Sequence, residues 1–228
     1  MNLLPMPEIK ILKNILDENR HRADDNRQVF NTHGILALNF IASPGAGKTT
    51  LLEKTISGLK GRLDFVVIEG DITGDYDARR LAALGIPVVQ INTEGGCHLD
   101  AGMVHRAFQD FQLDKIDILA VENVGNLVCP AEFDLGEAFK VVVLSVPEGD
   151  DKPAKYPLIF SEAGAVIFSK VDLLKAVNFD MDKARADIRR INREAPIFEL
   201  SATTGQGLGE WMDWLAEKAD EQKKSKTG

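Results

Sequence analysis

The stretch that decides the fold is Ile35-Leu36-Ala37-Leu38-Asn39-Phe40-Ile41, running straight into Ala42-Ser43-Pro44-Gly45-Ala46-Gly47-Lys48-Thr49-Thr50. The apolar run reads as a buried strand, and a helical pattern begins at its far end. A glycine-rich turn between the two is a cradle for phosphate. Gly45 and Gly47, with Ala46 between them, let backbone N–H groups curl around phosphate oxygens, and the helix N-terminus adds its dipole. Lys48 brings a charge to the β- and γ-phosphates, Thr49 a hydroxyl to Mg²⁺, and Thr50 completes the nucleotide contact. Ala42 stands where G-x-x-x-x-G-K-[ST] expects glycine. Its small side chain suits a strand end and predicts a slight tightening. The competing reading, an accidental glycine-rich turn, does not explain a strand before it and a helix after it.

Outward from this point, apolar runs recur at 65–68, 88–91, 116–121, 141–146, 165–168 and 197–200, with helical patterns at 49–59, 78–84, 99–111 and 182–194. Continuous apolar strands separated by helices predict an α/β fold, a three-layer P-loop NTPase whose mostly parallel central sheet is flanked by helices. This domain takes residues 34–217. Residues 1–33 read as an N-terminal helical extension, with Ile9, Ile11, Leu12, Ile15 and Leu16 at helical spacing and a polar stretch, 17–28, as a second helix or a linker. The extension is too thin for its own core, so it must pack on the main domain or on another subunit. Residues 218–228 read as a charged tail that frays.

With the phosphate loop, three further short elements, each directly after a strand, point to guanine. Glu122-Asn123-Val124-Gly125 stands in the place of a D-x-x-G switch, with Glu122 near Mg²⁺ and the Gly125 N–H on the γ-phosphate. Ser169-Lys170-Val171-Asp172 stands in the place of N-K-x-D. Asp172 accepts from guanine N1 and N2, which adenine cannot satisfy, and Lys170 lies along the base plane. Ser169 removes an amide, which weakens nucleotide affinity without changing base choice. Ser201-Ala202-Thr203 meets guanine O6 through a backbone N–H. Each element alone is weak, and their order after successive strands carries the weight. An ATP-using P-loop protein and a small-molecule kinase are the competing readings; no acceptor pocket is readable for the kinase.

Thr93-Glu94-Gly95-Gly96-Cys97-His98 follows one strand and Cys129 follows the switch element, so both cysteines leave the sheet on its nucleotide edge. Thiolate and imidazole suit Zn²⁺ or Ni²⁺ and suit Mg²⁺ poorly. Two separated cysteines and a histidine are more often packing residues, and their position favours a metal. Cys129 is four residues past Gly125, at most about 13 Å of extended chain. A loop that moves on γ-phosphate loss therefore moves a metal ligand. A closed site needs about four ligands, so a two-fold dimer sharing the site is expected. His105, seven residues beyond His98, reads as an extra ligand or, more simply, as a surface or capping histidine. His21 and His33 read as incidental.

Composition sets limits. With 228 residues, 44% hydrophobic and 27% charged, the chain supports a sizeable core. A net charge of -8 argues against nucleic acid. Residues 1–10 hold two prolines and a glutamate and no long apolar run, so they do not read as a secretion signal. Nor does any window reach the ~18 to 20 apolar residues of a membrane span. A cytoplasmic location with both cysteines reduced is expected. No arginine stands out as a finger and no residue as a general base, so turnover should be slow, as suits a switch. A non-catalytic metal carrier that holds GTP as a structural ligand is the alternative.

The phosphate loop, Glu69-Gly70-Asp71, Gly95-Gly96-Cys97-His98-Leu99-Asp100-Ala101, the segment from Glu122 to Cys129-Pro130 and Glu148-Gly149-Asp150-Asp151-Lys152-Pro153 together resemble the HypB family of nickel-insertion GTPases, a SIMIBI-class branch, over roughly 35–205. The resemblance implies GTP hydrolysis to GDP and phosphate, and nickel insertion into [NiFe]-hydrogenase. It also implies a GTP-favoured homodimer, a HypA-type nickel chaperone and the hydrogenase large-subunit precursor as partners. It implies Mg²⁺ at Thr49, Asp71 and Glu122, and Ni²⁺ or Zn²⁺ at Cys97, His98 and Cys129. Lys48, Asp71, Glu122 and Gly125 then form the catalytic set. Asp75 and Asp77 are nearby acidic candidates, more simply read as exposed helix-cap aspartates. The urease nickel GTPases are similar in their core but carry a different cysteine–proline–histidine motif; service to another nickel enzyme such as urease is the alternative. Residues 1–33 lack the histidine-rich or cysteine-rich stretch of some members, so nickel storage is not expected.

Overall fold

The apolar strand that ends in the glycine turn lies at the middle of its sheet. A computed structural model describes residues 7–226, with side chains from residue 16 onward. Residues 1–6 of the stretch read above, and the side chains of Ile9, Ile11, Leu12 and Ile15, lie outside it. In chain order the elements are α1 (Pro7–His33), β1 (Leu36–Ala42), α2 (Lys48–Leu59), β2 (Phe65–Asp71), α3 (Tyr76–Ala82), β3 (Val88–Asn92), α4 (Ala101–Phe108) and β4 (Ile118–Glu122). They continue with α5 (Cys129–Glu132), β5 (Phe139–Ser145), α6 (Lys152–Lys155), α7 (Pro157–Ser161), β6 (Ala163–Ser169), α8 (Met181–Ile191), β7 (Ile197–Glu199) and α9 (Leu208–Lys224). The strands form one parallel sheet in the order β3-β2-β4-β1-β5-β6-β7. The chain passes from β1 to β2, returns through β4 and leaves to β5 on the other side. This reversal beside β1 is the switch point where parallel sheets bind ligands, outside the carboxyl ends of the strands.

Alternation along the strands sorts the core. Leu36, Leu38 and Phe40 pack under α2, α3 and α9, while Ile35, Ala37 and Ile41 face the helices of the opposite layer. Fully buried Trp211 of α9 meets Phe40 and Phe198 edge-on, at ring-centre distances of 6.3 and 5.4 Å, and donates from Nε1 to Thr55 Oγ1 at 2.9 Å. Truncating such a residue to alanine costs about 3–5 kcal/mol. On the other face α4 and α1 cover one half, and α7 and α8 the other.

Two expectations at the ends change. The polar stretch 17–28 is neither linker nor second helix: it continues α1 without a break, and the helix packs on α4 of the main domain. The charged segment from Lys218 does not fray there. It is the closing part of α9, with Ala219 fully buried, Lys223 paired to Asp117 at 2.8 Å and Gln222 donating to Asn31 at 2.8 Å. An alanine facing the core and cross-domain partners stabilise what composition alone reads as tail.

Candidate nucleotide and metal sites

At the carboxyl ends of β1, β2 and β4 a cavity of about 460 Å³ opens beside the glycine turn. Ala42 ends β1 fully buried, so the departure from glycine is absorbed by the strand. Gly45 and Gly47 take φ of 76° and 96°, left-handed values that a side chain would strain, and the turn delivers Lys48 to the first position of α2. Lys48 is buried, and burial pushes its pKa down against the opposing charge of Glu122. Thr49 donates from Oγ1 to Glu122 Oε1 at 2.8 Å.

Glu69 and Glu122 lie side by side in the register of β2 and β4, both buried, and each keeps one carboxylate oxygen without a hydrogen bond. Burial, with the charge of Glu122 added, pushes Glu69 up to about 8; burial likewise raises Glu122 to about 7, opposed by Lys48. Asp71 ends β2 and lines the same cavity, accepting from the N–H groups of Ile72 and Gly74 at 2.6 and 3.2 Å. Buried carboxylate oxygens without partners beside a threonine hydroxyl are a hard-oxygen donor set, and they fit Mg²⁺. Gly125 approaches so closely that a Cβ there would meet Pro44 at 3.0 Å.

The loop after β6 is fastened to the phosphate turn. Ser169 Oγ donates to Ala46 O at 2.8 Å in a buried contact, and Lys170, left-handed at φ 59°, donates from Nζ to Gly45 O at 2.6 Å. The serine thus serves as a tether between loops. Lys170 likewise reaches from the loop after β6 to the turn. Val171 N donates to Leu200 O at 3.3 Å, joining the loop after β6 to that after β7, where Ser201 is buried and Ala202 half-buried. Asp172 is exposed, and it stands with Ser201 and Ala202 outside the phosphate cavity's lining.

The cysteine–histidine set converges. One ligand atom each from Cys97, His98 and Cys129 lies within 4.8 Å of the others. Cys97 is exposed at the end of the loop after β3; Cys129 opens the short α5, with Pro130 in its first turn. Cys97 Sγ sits 3.6 Å from His98 Nδ1, and the His98 ring lies over Phe133 at 3.8 Å. Burial pushes the His98 pKa down, which favours the neutral imidazole a metal needs. The hydrogen bond with Cys129 pushes the Cys97 thiol up, as when two thiols compete to ionise. Two thiols and one imidazole within reach of one ion fit Ni²⁺ or Zn²⁺ and leave room for further ligands. His105 lies outside the set and contacts Asn26 and Gln109 at 2.8 and 3.3 Å; His33 pairs with Asp114 at 3.0 Å.

Several site residues escape the sequence reading. Arg80 lines the cavity although no arginine stood out in the sequence, and its guanidinium is already held by Glu53 at 2.6 Å, Asp77 at 3.0 Å and Thr50 Oγ1 at 3.2 Å. Asp77 is therefore a cavity residue and not simply an exposed cap, whereas Asp75, at the N-cap position of α3, pairs with Arg79. Buried Asn123 accepts from the N–H groups of Leu99 and Val124 at 3.1 and 2.9 Å and donates to Asn39 at 3.1 Å. Asn39 in turn donates to Glu137 at 3.3 Å. A lone asparagine inside the apolar run 35–41 was the one sequence signal of this network.

Residues 37–199 match the family described as CobW/HypB/UreG, nucleotide-binding domain. The chain is 50% identical over 210 residues to the hydrogenase maturation factor HypB of Escherichia coli K12, covering 92% of this chain and 72% of that protein. It is 42% identical over 215 residues to the probable hydrogenase maturation factor HypB of Methanocaldococcus jannaschii, covering 94% and 97%. In structure it resembles HypB from Helicobacter pylori in complex with nickel, with a TM-score of 0.85 and 41% identity over 90% of this chain and 96% of that one. The signal recognition particle receptor FtsY of Elizabethkingia anophelis, at a TM-score of 0.55 and 16% identity, shares the fold. The chain belongs to the CobW/HypB/UreG family, in its HypB branch.

Proposed function

We propose that this protein is a GTP-hydrolysing metallochaperone that binds nickel or zinc and assists nickel insertion into [NiFe]-hydrogenase. The observation that carries the reading is the convergence of Cys97, His98 and Cys129 within 4.8 Å on the sheet edge that also holds the phosphate cavity. Hydrolysis proceeds by in-line attack of water on the γ-phosphate, with Lys48 and the N–H groups of the turn and Gly125 holding the transferred charge. Thr49, Asp71 and Glu122 would hold Mg²⁺, which would neutralise charge that develops on the transferred phosphoryl group. Asp172 reads guanine, with Lys170, Ser201 and Ala202 around the base. Arg80, neutralised by two carboxylates, is no free finger, and this supports slow turnover.

The relatives named as hydrogenase maturation factors support a hydrogenase large-subunit precursor as recipient, with a HypA-type chaperone and a second copy of this chain as partners in the cytoplasm. Three donors from one chain leave a closed site incomplete, and this favours a GTP-dependent homodimer. A second recipient has one specific support: a relative from Helicobacter pylori, 42% identical, is named a hydrogenase/urease maturation factor. Among the described residues no helix is long and apolar enough to cross a membrane.

Phosphate release with GTP, with ATP, and with GTP plus an added acceptor tests the reaction. The expected result is slow release from GTP, little from ATP and no phosphorylated acceptor. Release from ATP equal to that from GTP contradicts the guanine reading; tight GTP binding without release would leave a GTP-gated carrier.

A further inference from the structure

The N-terminal helix has no cysteine, and its histidines lie outside the metal cluster, yet it touches both chain segments that carry the ligands. Asn19 and Asn26 stand seven residues apart, two turns along one face of α1. Asn19 Oδ1 accepts from Ala101 N at 2.8 Å, and its Nδ2 donates to Asp134 O at 2.8 Å. Asn26 Nδ2 donates to Ala101 O and to Leu135 O, both at 2.9 Å. Asn19 is 8% exposed and Asn26 is fully buried. Each asparagine therefore bridges the same two segments. Ala101 is three residues beyond His98, and Asp134 and Leu135 are five and six residues beyond Cys129.

We propose that α1 is the strut that sets the spacing of the metal site, with Asn19 and Asn26 as positioning residues. The proposal rests on the metal reading of Cys97, His98 and Cys129 given above. All four bonds go to backbone atoms, so they fix the path of the chain whatever side chains stand at 101, 134 and 135. Ala101 is held at both its N–H and its carbonyl. Its N–H is one of the donors that a helix start leaves without an intrahelical partner, so Asn19 also completes the beginning of α4. Arg27 adds an ion pair to Asp134 at 2.5 Å from the same helix. Nothing in this arrangement reaches the phosphate cavity directly, so the strut acts on metal geometry and leaves nucleotide contacts alone.

The competing reading is that the two asparagines merely satisfy buried backbone groups and stabilise the domain. Titration of Ni²⁺ and of Zn²⁺ into the full chain, followed by the thiolate-to-nickel charge-transfer absorption, separates the two. Asn26→Ala should weaken metal affinity about ten-fold, the lower end for groups that orient ligands, and reduce the charge-transfer band. Asn19→Asp, which keeps the acceptor for Ala101 N and loses the donor to Asp134 O, should lose less than Asn19→Ala. GTP-analogue affinity should stay at the parent value throughout. Asn31→Ala removes the α1–α9 bond to Gln222 and touches neither ligand segment, so it should leave metal affinity unchanged. If Asn26→Ala does not fold, Asn19→Ala and Asn19→Asp carry the test. Parent metal affinity in folded Asn19 and Asn26 variants overturns the strut, as does an equal loss in Asn31→Ala. Failure of the parent chain to bind metal above the level of Cys129→Ala overturns the metal reading itself, and the strut with it.

Discussion

The phosphate cavity and the cysteine–histidine cluster share one edge of one sheet, but they are built on opposite principles. The cavity is made by strand ends and one turn: Lys48, Glu69 and Glu122 are buried, Glu69 and Glu122 on β2 and β4, and the turn before Lys48 is tied by Ser169 and Lys170. The cluster is made by loops: Cys97 is exposed, and Cys129 lies in a short helix between loops. Buried charges in rigid surroundings pre-organise the binding of a charged ligand. Ligands on loops can change their spacing at small cost. The contrast assigns chemistry to the cavity and responsiveness to the cluster, with 122–129 as the only short covalent path between them. Asn126 spans that path, donating to Cys97 O at 3.4 Å and accepting from Val128 N at 2.8 Å.

If the division is right, damage on one side should be severe there and mild on the other. Lys48→Ala should abolish GTP hydrolysis and sharply weaken nucleotide binding, while metal affinity of the nucleotide-free chain stays within about two-fold. Near-normal phosphate release from that variant would remove the cavity from the account. Asp172→Asn alters the acceptor pair facing guanine N1–H and N2–H₂. Preference should pass from GTP towards XTP, by about 10²-fold or more, with the phosphate contacts intact; unchanged use of both nucleotides places the base contact elsewhere. Cys129→Ala should cost about 10²-fold in Ni²⁺ affinity and leave GTP binding close to the parent value. A comparable fall in GTP affinity would mean that the two regions are one site.

A smaller effect sharpens the cavity's side. Glu69 and Glu122 are raised from an ordinary 4.5 to about 8 and about 7 by burial. The folded chain therefore holds protons that the unfolded chain has lost, and its stability falls as pH rises from about 5 to about 8. The slope is at most about 1.4 kcal/mol per pH unit for each proton. Glu69→Gln should flatten that slope in the nucleotide-free chain. Thermal unfolding across this range with equal slopes in parent and variant would show that Glu69 is already ionised.

The same contrast explains what the sequence disclosed. Each strand was legible because a parallel sheet covered on both faces leaves unbroken apolar runs, and the phosphate turn because glycine, lysine and threonine have fixed duties there. The cysteine–histidine set was legible as residue types, and its convergence followed from the shared sheet edge. Hidden were the residues whose roles depend on a neighbour distant in sequence. Glu69 matters through its register with Glu122, and Arg80 through Glu53 and Asp77. Ser169 reads as a lost amide without its bond to Ala46, and the polar stretch of α1 reads as a second helix or a linker because its partners lie about 75 to 115 residues away.

Coupling between the two regions is the central claim, and metal affinity measured in two nucleotide states tests it most directly. Ni²⁺ and Zn²⁺ are titrated into the GDP form and into the form bound to a non-hydrolysable GTP analogue with Mg²⁺. Loss of γ-phosphate should move 122–129 and with it Cys129 relative to Cys97 and His98. Affinities in the two states should then differ by about 5- to 150-fold, the usual range of such couplings, and the metal must shift the GTP-to-GDP preference by the same factor. Equal metal affinity in both states contradicts the claim and leaves Cys97, His98 and Cys129 as a static structural site.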